Sequence, residues 1–259
     1  MNLDLDGKVA IVGGASQGIG YGIARTLAQD GARVAITARR EADLKRAAET
    51  ITAETGAEVL PIPADCRRFE DCSRAVAEVI QRFGRIDVLV NNDGAPPLGA
   101  IESLDDTAWH KAVEQNFMYV VRMARAVLPH MKASGGGSIL NIAAISAIQP
   151  IAGFGLSVAT WAGVIAYAKT LSLEVAPYGI NVNTICPGYI ETGRLKKVFA
   201  AGGEDPQTMH DKLVAEVPMG RLGSTDDIAG LVALLVSKRG GYITGTSIPV
   251  DGGLLRGVR

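Results

Sequence analysis

An apolar run, Val9-Ala10-Ile11-Val12, leads straight into Gly13-Gly14-Ala15-Ser16-Gln17-Gly18-Ile19-Gly20, and a helix pattern follows from Gly18 to about Gln29. Glycines at this spacing let the backbone turn tightly and approach a pyrophosphate closely. The helix start supplies unpaired N–H groups and the positive end of its dipole. Gly14, Ser16, Gln17, Gly18, Ile19 and Gly20 are therefore expected to hold phosphate. A second apolar run ends Ile36-Thr37-Ala38-Arg39-Arg40, at the point where an NAD site would place an acidic residue against the ribose hydroxyls. Arg39 instead presents a planar donor fork suited to a 2′-phosphate, which favours NADP(H) over NAD(H). The other reading of Arg39 and Arg40 is a solvated pair at a helix entrance. Metal chemistry finds no support. Cys66, Cys72 and Cys186 form no Cys-x-x-Cys or Cys/His pattern and read as ordinary buried thiols. His110, His130 and His210 lack the spacing that puts two imidazoles on one helix face.

The glycine turn resembles the Thr-Gly-x-x-x-Gly-x-Gly turn of the short-chain dehydrogenase/reductase family, with Gly14, Gly18 and Gly20 matching and Gly13 in place of the threonine. That departure removes a hydroxyl that would brace the turn. Asn91-Asn92-Asp93-Gly94 is similar to the family's Asn-Asn-Ala-Gly, with Asp93 replacing alanine, and Pro187-Gly188-Tyr189-Ile190-Glu191-Thr192 is similar to its Pro-Gly turn. These motifs, in order and at family spacing over nearly the whole chain, resemble the 3-oxoacyl-ACP-reductase-like members most. The resemblance implies that Asp65 hydrogen-bonds the adenine and that Asn92 and Gly94 lie beside the cofactor. It also implies that Pro187 and Gly188 form the turn from which Ile190 and Thr192 face the nicotinamide. Asp93 would either accept from a ribose hydroxyl or repel a nearby phosphate, and both readings stay open.

Family members reduce carbonyls by hydride transfer while a tyrosine gives a proton to the developing alkoxide. A lysine four residues later holds the nicotinamide ribose, a serine orients the carbonyl, and an asparagine completes a water-linked relay. Upstream, Gly137-Ser138-Ile139-Leu140-Asn141-Ile142-Ala143-Ala144 resembles the strand that ends in the catalytic serine, which puts that position at Ala144. Downstream, Ala159-Thr160-Trp161-Ala162-Gly163 resembles Ala-Thr-Lys-Ala-Gly, which puts the tyrosine at Ser157 and the lysine at Trp161. No tyrosine in the chain is followed four residues later by lysine. Asn116 alone matches its family position, as a residual catalytic residue or as a helix residue bonding a neighbouring backbone. The Ser157 hydroxyl is far too weak an acid to replace a phenol, and losing a positioned acid costs about two to four powers of ten in rate. Trp161 would either stack near an oxidised nicotinamide through cation–π attraction or plug the pocket with apolar packing. The expected function is an NADP(H)-binding, oxidoreductase-like protein in which any hydride transfer follows a non-standard route. The alternatives are a non-catalytic binding or assembly partner, and cofactor-free chemistry in the vacated pocket using Asp93 or Tyr189. Whether the chain is an enzyme is open at this point.

Elements of suitable period are available to position these residues. Short apolar runs at Val9–Val12, Arg33–Thr37, Glu58–Leu60, Asp87–Val90, Ser138–Ile142, Asn181–Ile185 and Ser247–Val250 read as strands buried on both faces. Helix-length stretches alternate with them at Gly18–Gln29, Glu41–Glu54, Glu70–Phe83, Thr107–Lys132, Leu156–Ala176 and Thr225–Ser237. This order predicts an α/β fold: one Rossmann-type, doubly wound parallel sheet with helices on both faces. The 259 residues are expected to form a single domain, with a mobile lid at about 193–223, where the pattern is weakest, or an ordered insertion there. A net charge of -1 gives no field for nucleic acid. The acidic N-terminus has no secretory character, and no apolar run is expected to reach membrane-spanning length, so a cytoplasmic protein with no membrane partner is expected. The family resemblance implies a homo-dimer or homo-tetramer assembled through the Thr107–Lys132 and Leu156–Ala176 helices, acting on a small molecule not readable from the sequence.

Overall fold

A computed structural model of the chain describes residues 3–94, 96–193, 195 and 205–257. Its centre is a seven-stranded sheet of β1 (Val9–Gly13), β2 (Arg33–Ala38), β3 (Val59–Pro63), β4 (Val88–Asn91), β5 (Gly137–Ile142), β6 (Ile180–Pro187) and β7 (Ser247–Val250). The strands run in the order β3-β2-β1-β4-β5-β6-β7, and every neighbouring pair is parallel. The expected doubly wound fold is the observed one. Strand order reverses between β1 and β4, the place where open parallel sheets leave a crevice beyond their C-terminal ends.

Helices cover both faces because the central strands are apolar on both sides. On one face α1 (Gly18–Gln29), α2 (Glu41–Thr55) and α8 (Thr225–Val236) pack Ile23, Leu27, Leu44, Ile51, Ile228 and Val232 against Val12, Ile36 and Val90. On the other, α3 (Phe69–Phe83), α5 (Tyr119–Ala133) and α6 (Gly155–Val175) pack Val76, Val79, Val120, Val127 and Val164 against Ile11, Leu89 and Ile139.

Several boundaries differ from expectation. The third strand continues past Leu60 through Pro61 to Pro63, which is possible because β3 is an edge strand and has one side without a ladder partner. The helix expected over Thr107–Lys132 is α4 (Asp106–Ala112), a π-helical segment Val113–Met118, and α5. The segment read as a lid contains α7 (Pro206–Glu216), started by the Asp205 carboxylate, which accepts from Thr208 N–H at 2.9 Å, and by Pro206 in the first turn. Its stretch 194 and 196–204 lies outside the described residues. The expectation that no apolar run reaches spanning length is corrected, because Gly155–Tyr178 is long and apolar enough by length and composition. In this fold that helix packs Leu156, Trp161, Val164, Ala168, Leu171 and Val175 into the interior and lies against β6.

Candidate nucleotide-binding site

The glycine turn closes onto the end of β4. Gly14 has φ +56, and a Cβ there would lie 2.2 Å from the Asn92 carbonyl oxygen, so only glycine fits. Asn92 holds the turn from the other side, its amide Nδ2 donating to the Gly13 carbonyl at 3.1 Å. The brace expected to be lost with the missing threonine hydroxyl is thus supplied by the side chain that follows β4, and Ala15 N–H adds a bond to the Thr37 carbonyl at 3.2 Å. Helix α1 begins at Gly18 with Gln17 extended at its N-cap, no side-chain cap and no acidic residue in the first turn. Its first N–H groups and dipole are left for an anion. Ser16 and Ile19 are half-buried and Gln17 exposed along the rim, Gly20 is buried, and Thr192 comes within 3.7 Å of the Cβ position of Gly18.

Four charged groups gather at the ends of β2, β3 and β4. Arg39 is exposed at the end of β2 and makes no ion pair among the described residues. The Asp65 carboxylate, expected to read an adenine, accepts from Arg67 Nε at 2.8 Å and from Arg67 Nη2. These bonds to Arg67, with Arg39 nearby, hold its carboxyl below the usual carboxylate range against the opposing effect of burial. The Asp93 carboxyl accepts from Gly94 N–H at 2.7 Å. Burial pushes it upward, Asp65 adds to that, and Gly94 N–H, Arg39 and Arg67 oppose it. Beside the glycine turn lies a cavity of about 370 Å³ lined by Ser16, Gln17, Tyr21, Arg40, Arg46 and Thr50. Asp43 bridges its two guanidinium groups, at 2.7 Å to Arg40 and 2.8 Å to Arg46. Arg40 is exposed at the N-cap of α2, its guanidinium held by Asp43 on the rim of this cavity. The i, i+3 spacing Arg40-x-x-Asp43-x-x-Arg46 is the signal that would have shown it.

The positions where the relay is expected lie on the other side of the switch point. Ala144 follows the end of β5 and packs against the large apolar cluster that also holds Trp161. Ser157 is 7% exposed and sits one helical turn before Trp161 on α6. The Trp161 side chain is buried, and its Cζ2 lies 3.1 Å from the Cβ position of Gly94, a residue with φ +108. Asn116 is fully buried in the π-helical segment, where its amide Nδ2 donates to Thr160 Oγ1 at 2.8 Å. Thr160 Oγ1 in turn donates to the Leu156 carbonyl at 2.7 Å. The Asn116 Oδ1 atom is buried with no partner and points at Gly94. Thr160 was not singled out in the sequence, and no local pattern marks it, because its partner comes from another helix.

The turn after β6 is tied to its surroundings. Gly188 N–H donates to the Val250 carbonyl at 2.9 Å, Pro187 and Ile190 are buried, and Ile190 bridges to Gly223. The Tyr189 hydroxyl donates to Glu216 of α7 at 3.0 Å, and burial followed by that carboxylate pushes the phenol up to about 12. Tyr189 and Asp93, the two candidates for acid–base work without a cofactor, are thus committed to different partners. Among the described residues no cluster of three or more His, Cys, Asp or Glu is placed to hold a metal ion, and all three cysteines are buried free thiols.

A dinucleotide meets two unlike halves here. The adenosine and phosphate half fits, with a glycine cradle that a single Cβ would fill, an uncapped helix start and arginines at the end of β2. The nicotinamide half differs in kind, with the buried Trp161 indole and Asn116 packed against Gly94 and no charged group among the described relay positions.

A family model described as enoyl-(acyl carrier protein) reductase matches residues 14–255. The human dehydrogenase/reductase SDR family member 4 is 35% identical over 250 residues, covering 96% of this chain and 88% of that protein. The crystal structure of L-sorbose reductase from Gluconobacter frateurii, complexed with NADPH and L-sorbose, superposes with a TM-score of 0.95 at 34% identity and full coverage of both chains. A variant of actinorhodin polyketide ketoreductase with NADPH gives a TM-score of 0.92 at 36% identity, covering 95% of this chain and 97% of that one.

Proposed function

Because the chain belongs to the short-chain dehydrogenase/reductase family, an oxidoreductase family, we propose that it binds NADP(H) without the serine–tyrosine–lysine relay that ketone reduction uses. The observation that carries this reading is Trp161, buried on α6 where the family's lysine is expected. NADP(H) is favoured over NAD(H) by Arg39, by the basic cavity of Arg40 and Arg46, and by similarity to reductases solved with NADPH. When bound, such a cofactor supplies a hydride donor. The chain's own residues hold its phosphates at Gly14–Gly20 and its adenosine near Arg39 and Asp65. Ser157 offers only an unactivated hydroxyl for a developing alkoxide, and neither Ala144 nor Trp161 offers a proton.

The test is a fluorescence titration with NADPH followed by mixing of the loaded protein with a panel of ketones. The expected result is NADPH binding with no cofactor oxidation, and ketone-dependent oxidation once Ala144→Ser, Ser157→Tyr and Trp161→Lys are introduced together. Ketone-dependent oxidation by the unaltered protein within about tenfold of the triple variant would overturn the proposal.

A role in assembly has its own support. Helix α6 is apolar on nearly all sides, yet only 44% of its apolar window is buried within the chain. Ala159, Ala166 and Leu173 lie seven residues apart along its exposed side, and Leu173 is 68% exposed. A helix of this kind is expected to bury its outer face as well. We therefore propose a homo-dimer or homo-tetramer through α6 and the α4–α5 helix.

A further inference from the structure

We infer that this site recognises the adenosine 2′,5′-diphosphate end of its ligand and leaves the nicotinamide nucleoside unheld, so that it binds oxidised and reduced cofactor alike. The inference rests on the NADP(H)-binding reading above and concerns which half of the dinucleotide carries the affinity. The crevice spans the reversal of strand order between β1 and β4, so one mononucleotide lies over β1–β3 and the other over β4–β6.

The two halves offer different chemistry. Over β1–β3 stand the glycine cradle, the uncapped start of α1, Arg39 at the rim, and the Arg40–Asp43–Arg46 cavity beside Ser16. These groups complement phosphates and a ribose 2′-phosphate. Over β4–β6 the described side chains at the expected relay positions are Ala144, Ser157, Trp161 and Asn116, none of them charged. The Asn116 amide N–H is spent on Thr160, and its buried oxygen faces Gly94. A ribose placed there would meet apolar side chains at Ala144 and Trp161, with the Ser157 hydroxyl as the neutral polar group on α6 beside them. Each hydroxyl left without a partner costs roughly tenfold in affinity.

Stacking on the indole does not compensate. Trp161 is 5% exposed and its ring is packed within the core cluster, so no open face remains for a nicotinamide cation. Gly94 packs against the indole and Asn116, with no room for a side chain at this position.

Isothermal titration of the full chain with 2′,5′-ADP, NADP+, NADPH and reduced nicotinamide mononucleotide tests this. The first three are expected to bind within about threefold of one another and the mononucleotide not at all. In saturation-transfer NMR with NADP+, the adenine protons should receive saturation and the nicotinamide protons should not. Trp161→Lys should tighten NADPH by about tenfold while leaving 2′,5′-ADP unchanged. NADPH binding tenfold or more tightly than 2′,5′-ADP to the unaltered protein, or equal saturation of both rings, would overturn the inference while sparing the NADP(H)-binding reading. Failure of all four to bind would overturn both. The unaltered protein decides the question even if Trp161→Lys does not fold.

Discussion

At the scale of single residues, Asp93 is the substitution whose cost the structure makes legible. Its carboxyl is surrounded by Arg39 from the end of β2, Asp65, Cys66 and Arg67 from the β3–α3 turn, Tyr119 from α5, and its own neighbour Gly94. Burial raises its pKa above the unfolded value. The folded protein therefore binds more protons than the unfolded chain over the window between the two values, and stability falls as pH rises through it. Asp93→Asn keeps an oxygen for Gly94 N–H and removes the charge. We expect it to raise the urea midpoint at pH 7 and to have little effect near pH ~4, where the unfolded carboxyl is itself half protonated. An equal shift at both pH values would show that the charge is not the cause. Asp87 has the opposite sign. Burial alone would raise its pKa, but bonds from Arg85 and Val9 N–H, with Lys8 nearby, hold it low. Its contribution is present at neutral pH and is lost as pH falls through the depressed value.

At the scale of elements, the π-helical segment and α6 are joined by one hydrogen bond. Asn116 and Thr160 lie 44 residues apart and are both buried. Thr160→Val keeps the shape and leaves the Asn116 amide unpaired, beside an Oδ1 that already has no partner. The expected loss is about 1–3 kcal/mol in equilibrium unfolding. No change in the denaturation midpoint would mean that the amide finds water or another acceptor. Most elements were readable in advance because period and punctuation agree, as in α1, α2 and β7. The exceptions have local reasons. β3 crosses prolines because it is an edge strand, and α7 has only its Asp205-Pro206 start to announce it.

At the scale of the whole molecule, the outward face of α6 is where the proposed assembly would form. Light scattering after size-exclusion chromatography is expected to report a dimer or tetramer, and Leu173→Glu to shift it toward smaller species. A monomer in the unaltered protein would remove the assembly proposal and leave the nucleotide site as it stands. The site itself does not depend on that face, since its glycine turn, its arginines and Trp161 all belong to one sheet and its flanking helices.

The sequence by itself determined the alternation that makes a doubly wound sheet, the strand–glycine turn–helix order, and the types of residue at each position. It also determined that no tyrosine is followed four residues later by lysine, which holds in any fold. The tertiary structure alone decided which groups meet. It put Arg67 on Asp65, gave Asn92 the task of bracing the glycine turn, tied Asn116 to Thr160 and packed the Trp161 indole against Gly94. Periodicity and spacing act between near neighbours in the chain. Most of these pairings join distant segments, so they exist only once packing has fixed the distance between elements.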